Sequence, residues 1–284
     1  MKLGVTIHAT DKAMPPTEVA REAEARGFHS LYIPEHTHIP TSRETPPPTG
    51  GDVLAEEYLR SPDPYVALAA AAAVTTTIRL GTGIGLPAQH HPISLAKTVA
   101  TVDQVSGGRF VFGIGYGWNR EEMAHHGIEY RTRRARVRET LLAMEVLWSQ
   151  EEAEFHGEFV DFGPSWQWPK PVQQPRPPVL IGGGAGPKLF AHIAEYADGW
   201  MPIGGAGMKT ALADLGRAME ERRRDPAGLH VVPMGVFPDE GKLDYYRELG
   251  VTETVLRLPS APRDRVLPVL DDYTKFLRDH PTQE

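Results

Sequence analysis

An α/β fold, a (β/α)8 TIM barrel, is what this sequence predicts, and three observations carry that reading. Apolar strand patterns and helical patterns alternate from end to end, which argues for a parallel sheet covered by helices. The 284 residues contain no composition break, and the length suits one eight-unit barrel, typically about 250 residues. Most of the strand patterns are short and apolar, as strands buried on both faces are. One barrel domain over residues 1–284 is therefore expected, with a lid inserted after strand 2 and an aromatic, proline-rich excursion before strand 5.

The first strand is read at Leu3 to His8, and its helix at Pro15 to Arg26, with proline in the first turn and Gly27 as the stop. His29 to Ile33 is the second strand. Thr37 to Asp63 follows it, long, polar and proline-rich, and loops of that length are usually lids or disordered. Pro64 to Thr75 is an alanine-rich helix, and Ile78 to Ile84 the third strand. Pro92 to Val105 is a helix ended by Gly107-Gly108, and Arg109 to Ile114 the fourth strand. In the long helix Arg131 to Ser149, Val137, Leu141, Met144 and Trp148 share a core-facing stripe. Arg133, Arg134, Arg136 and Arg138 lie beside that stripe and read as a solvated face. Glu154 to Pro177 holds Phe155, Phe159, Phe162, Trp166 and Trp168, which suggests a packed hairpin-like excursion. Strands at Pro178 to Ile181, Gly199 to Ile203, Val231 to Phe237 and Val251 to Leu258 complete the eight. Their helices are Pro187 to Tyr196, Met208 to Arg224, Gly241 to Leu249 and Arg265 to Leu277.

Composition narrows the chemistry. There is no cysteine, so disulfides, thiolate metal sites and cysteine nucleophiles are excluded, and a reducing cytoplasm is compatible. Neither a signal peptide nor a membrane span is expected. The net charge of −7, with both signs interspersed, argues against bulk nucleic-acid binding. A small molecule is the expected partner. No Gly-x-Ser-x-Gly elbow supports nucleophilic catalysis.

Active sites of such barrels lie at the C-terminal strand ends. Two of those ends carry alternating glycines: Gly81, Gly83 and Gly85, then Gly113, Gly115 and Gly117. Alternate strand residues share a face, so these runs strip side chains where something flat or bulky approaches the backbone. Neither run has the Gly-x-Gly-x-x-Gly spacing of a dinucleotide fingerprint at a first βα turn. A third cluster, Gly182, Gly183, Gly184 and Gly186, enters a helix whose first turn carries Pro187 and Lys188. Glycine backbone, helix N-terminus and lysine together make a phosphate site, the alternative being an ordinary flexible βα turn.

Glu35-His36 sits at the end of strand two, beneath the lid. A carboxylate and an imidazole there can orient a ligand or move a proton, or form a strand-end ion pair. His8 opens into the same mouth. His36 and His38 are spaced to share one face of an extended segment, which leaves a metal-dependent barrel hydrolase as a remote alternative; the expectation is no metal.

Taken together, the runs Leu80-Gly81-Thr82-Gly83-Ile84, Ser106-Gly107-Gly108-Arg109 into Gly113 to Trp118, Trp168-Pro169-Lys170-Pro171 before Gly182-Gly183-Gly184, and Ala197-Asp198-Gly199-Trp200 resemble the luciferase-like family of flavin- and deazaflavin-dependent barrel oxidoreductases. The resemblance implies a coenzyme F420-dependent oxidoreductase that transfers a hydride, with an FMN-dependent monooxygenase as the alternative. It also implies a homodimer. In the deazaflavin branch a non-prolyl cis peptide props the ring, and here that bond would be Gly83–Ile84. The ring would border Tyr116, Gly117 and Asn119, and the cofactor phosphate would meet Gly182 to Lys188. Related sugar-phosphate dehydrogenases carry an acid–histidine pair where this chain has Glu35-His36. They place a catalytic glutamate where this chain has Trp118, so the resemblance points to an apolar or aromatic substrate.

Overall fold

Main-chain pairing closes the expected barrel. The computed structural model describes residues 1–48, 50–51, 53–205 and 207–277; positions 49 and 52 of the expected lid, and residues 278–284 of the expected domain, lie outside them. In chain order the elements are β1 (Lys2–Thr6), α1 (Pro16–Ala25), β2 (Ser30–Ile33), α2 (Pro64–Ala72), β3 (Arg79–Thr82), α3 (Pro92–Val105) and β4 (Phe110–Ile114). Then come α4 (Arg120–His125), α5 (Arg133–Ser149), β5 (Ala153–His156), β6 (Asp161–Ser165), β7 (Val179–Gly182), α6 (Pro187–Tyr196) and β8 (Gly199–Met201). The last are α7 (Met208–Glu221), β9 (His230–Val231), α8 (Glu240–Glu248), β10 (Glu253–Arg257) and α9 (Arg263–Tyr273).

Eight strands pair in the order β10-β1-β2-β3-β4-β7-β8-β9, all parallel. The ring closes where Thr252 N donates to Val231 O at 3.1 Å, Val255 N to Pro233 O at 2.9 Å, and Val236 N to Val255 O at 3.0 Å. The seventh barrel strand was expected over Val231 to Phe237 but is regular only at His230–Val231. Pro233 has no N–H to give, and Gly235 turns to φ 67°, so pairing resumes as single bridges at Met234 and Val236.

Three further departures have local causes. The excursion is an antiparallel hairpin, β5 with β6, and Phe155 stacks on Phe162 with centroids 6.5 Å apart. Trp166 and Trp168 do not pack into it; they are 75% and 59% exposed. The arginine run is not a plain solvated face. Arg133, Arg134 and Arg136 lie 3.6, 4.4 and 4.6 Å over the rings of Tyr130, Tyr116 and Phe159, and Arg138 pairs with Glu195. The short helix α4 falls where no helix was expected; Asn119 caps it, its Oδ1 accepting from Glu122 N at 3.3 Å.

Strand residues alternate between two apolar layers. Leu31, Ile33, Leu80, Phe110 and Phe112 face the helices, where Val137, Leu141, Met144 and Trp148 of α5 meet the same core. Tyr32, Val111, Leu180, Met201, Met234 and Val255 fill the barrel interior, with Ile84 packed above them. This interior changes the meaning of the glycine runs. A Cβ on Gly81 would stand 2.5 Å from the Tyr32 ring, and one on Gly115 1.9 Å from Ile84 Cδ1. One on Gly182 would stand 2.9 Å from Ile84 Cγ2. At Gly81, Gly115 and Gly182 the stripped faces therefore admit Tyr32 and Ile84.

Gly113 is the most constrained of these positions, because its Cβ would lie 2.1 Å from the main-chain carbonyl oxygen of Thr82. Gly113→Ala is expected to cost about 3 kcal/mol or more, since backbone cannot rotate away as a side chain can. Gly216→Ala, on α7 with open space around it, should instead stabilise by up to about 1 kcal/mol. Urea unfolding of both variants checks the contrast.

Candidate functional site

The C-terminal ends of β1 to β4 converge with the lid on one mouth. Glu35 follows β2 and is 3% exposed. Its Oε2 accepts from Leu86 N at 2.6 Å, and its Oε1 pairs with His90 Nε2 at 2.6 Å. Its own N–H donates to Ile84 O at 3.1 Å. Glu35 thus grips the loop after β3 at both ends. Burial lowers the His90 pKa, but the Glu35 hydrogen bond and charge outweigh it and leave the pKa raised. The peptide Gly83–Ile84 in this loop is cis. Gly85 N donates to Gly113 O at 2.8 Å and Gly115 N to Gly85 O at 2.9 Å, which sews the loop to β4.

His36 does not pair with Glu35. The two side chains diverge, and His36 Nδ1 bonds Glu122 Oε2 at 2.9 Å, with His36 9% and Glu122 1% exposed. On the other side of the ring, Trp118 Nε1 donates to His36 Nε2 at 3.3 Å. Tyr58, from the lid, packs over both: its centroid is 5.4 Å from His36, 6.1 Å from Trp118 and 4.9 Å from His8. His8 Nδ1 is buried with no partner. Burial first, then the charges of Arg257 and His36, lower the His8 pKa to about 4, so the ring is neutral at physiological pH.

The lid is tied down through α4. Glu121 accepts from Glu44 N at 2.9 Å, Thr45 N at 3.1 Å and Thr45 Oγ1 at 2.6 Å. Burial opposes ionisation of Glu121, yet these donors hold its pKa down at about 2. At the lid's base, His38 Nε2 and His125 Nδ1 are 2.9 Å apart. His36 and His38 thus go to different partners, and among the described residues no group of His, Cys, Asp or Glu is arranged to hold a metal ion.

The remaining expected residues are dispersed. Gly117 borders the mouth at φ 76°, where a non-glycine residue would be strained. The Tyr116 ring turns outward, its hydroxyl 2.8 Å from His192 Nδ1 on α6. That leaves its backbone, not its phenol, at the strand end. Asn119 is committed as the α4 cap. Gly182 ends β7, and Gly183 adopts φ 149° while its carbonyl accepts from Trp200 Nε1 at 2.9 Å. Gly184, Gly186 and Lys188 lead into α6 with no side-chain cap, so the first-turn amides have no partner from one. Lys188 is exposed and has no acidic partner among the described residues.

Sequence reasoning missed Glu122, Tyr58 and His90. Asn119 and Glu122 stand three apart, the spacing of a helix-start signature, and that signal could have placed α4 and its buried carboxylate. Nothing local marks Tyr58 or His90, whose partners lie far along the chain.

The luciferase-like monooxygenase family model matches residues 3–238. An uncharacterized protein of Mycobacterium tuberculosis is 44% identical over 268 residues, covering 93% of this chain and 94% of its own length. An F420-dependent secondary alcohol dehydrogenase, solved with an F420-acetone adduct, superposes with TM-score 0.75 at 18% identity, covering 96% of this chain and 97% of that one. The oxygenating constituent of 3,6-diketocamphane monooxygenase from Pseudomonas putida, a type II Baeyer-Villiger enzyme solved with FMN, gives TM-score 0.64 at 20% identity, over 88% and 76%. At such identities the two structures speak to the fold alone. No helix among the described residues is long and apolar enough to cross a membrane. The match of the family model across most of the barrel decides membership: the chain belongs to the luciferase-like monooxygenase family.

Proposed function

We propose that this protein is a coenzyme F420-dependent oxidoreductase that transfers a hydride between the deazaflavin and a small apolar or aromatic substrate. The observation that carries the reading is the double anchoring of His36. A carboxylate only accepts, so the Glu122 contact puts the ring proton on Nδ1. Nε2 then holds its lone pair where Trp118 now donates. A substrate hydroxyl displacing that weak contact meets a positioned base, and Glu122 steadies the imidazolium that forms. In the opposite direction the same atom returns the proton. His8, neutral by burial, offers a hydrogen-bonding nitrogen and no charge.

The residues present suit such a cofactor. Gly83, Ile84 and Gly117, with the Tyr116 backbone, would border its ring. Gly182, Gly183, Gly184, Gly186 and Lys188 would meet its phosphate, since an unpaired lysine beside first-turn amides suits an anion. When bound, the deazaflavin supplies the carbon centre that gives or takes the hydride. Glu35, with both oxygens engaged, braces the loop and is assigned no proton transfer. The apolar lip supports an apolar substrate: Ile203, Phe237 and Leu59 are 84%, 63% and 58% exposed on the loops of the C-terminal side.

An FMN-dependent monooxygenase is the second reading, favoured by the FMN-bound structure that shares this barrel. Titrating the purified protein with each cofactor decides between them; tight binding of FMN with none of F420 would overturn the first reading. His36→Ala is expected to lower kcat by about 10²- to 10⁴-fold with little change in cofactor affinity. Glu122→Gln should lower kcat in the same direction but less, because the ring stays in place. Lys188→Ala should weaken cofactor binding about tenfold with an unchanged melting temperature, the lost charge-assisted bond being exposed to solvent.

A further inference from the structure

A cavity of about 380 Å³ lies outside the barrel mouth, between the start of α3, the face of α5 and the β5–β6 hairpin. Its wall carries a cation, Arg136, with no ion-pair partner among the described residues. Arg136 stacks on Phe159, and its one side-chain hydrogen bond is from Nε to Thr132 Oγ1 at 3.3 Å; no carboxylate lies within ion-pair distance of it among the described residues. Asp161, also on the wall, is turned to His156 at 2.7 Å. His91 lines the same space without a side-chain hydrogen bond among the described residues, and Ile93, Ile128 and Phe162 add apolar wall.

We propose that this cavity is a second ligand site, and that it takes a small organic carboxylate with an apolar, ring-sized body. The guanidinium of Arg136 presents the planar fork that a carboxylate accepts from, and His91 adds a second donor. Ile93, Ile128 and Phe162 cover the body of the ligand. His90 forms part of the same wall and reaches through to Glu35, so an occupant lies against the back of the turn that holds the active-site loop. The inference is independent of which cofactor the barrel takes.

Benzoate is a suitable probe for the full-length protein. Saturable binding is expected with Kd of about 1 mM or tighter, followed by ligand-observed NMR. Arg136→Gln, checked for an unchanged circular dichroism spectrum, should weaken it about tenfold or more. His36→Ala, in the barrel mouth, should leave it unchanged. In the wild-type chain, NOEs are expected from the benzoate ring protons to the methyl groups of Ile93 and Ile128. The proposal is overturned by any of three results: no saturable binding by about 10 mM, equal affinity in Arg136→Gln, or loss of binding in His36→Ala, which would put the probe in the mouth.

Discussion

The rest of the site depends on one buried carboxylate. Glu35 leaves β2 and closes on the loop after β3, holding Leu86 N and His90 with its two oxygens while its amide holds Ile84 O. An unpaired carboxylate at 3% exposure would be costly, so both oxygens require their partners, and the amide contact adds a third tie. They fix where Ile84 sits. Ile84 in turn fills the room left by Gly115 and Gly182, so three strand ends are locked to one side chain. The glycine pattern is thus a packing device first, and any ligand above it meets Ile84 as a rigid floor.

Two imidazoles of the mouth have unlike surroundings. His36 Nδ1 meets the Glu122 carboxylate, and His8 is kept neutral by burial and by Arg257. A carboxylate lies against one imidazole, and burial denies charge to the other. Under the proposed function, that difference gives proton transfer to His36 and hydrogen bonding alone to His8.

Much of the barrel was legible because period and punctuation agree along the chain. Short apolar strands, prolines at helix starts and glycines after helices each have one physical meaning, and β1 to β4 fell close to their expected places. Where the reading failed, the cause lay in tertiary packing. Pro233 and Gly235 break the seventh barrel strand although its hydropathy runs on. Arg133 to Arg138 look solvated in the sequence but find aromatic faces and Glu195 once α5 docks. The candidate site was legible to the level of its loops. Glu35 and His36 were singled out as neighbours, yet adjacent residues leaving a strand point apart, and their true partners, His90 and Glu122, lie 55 and 86 positions away.

Two successive residues on α4 face different tasks. Glu122 holds His36, while Glu121 holds the lid by two main-chain amides and one hydroxyl. Because two of these three donors are main-chain amides, the Glu121 tie depends little on which side chains that stretch of the lid carries. Lineages descended from this fold could rewrite that stretch of the lid while the anchor, and His36 behind it, stayed as they are.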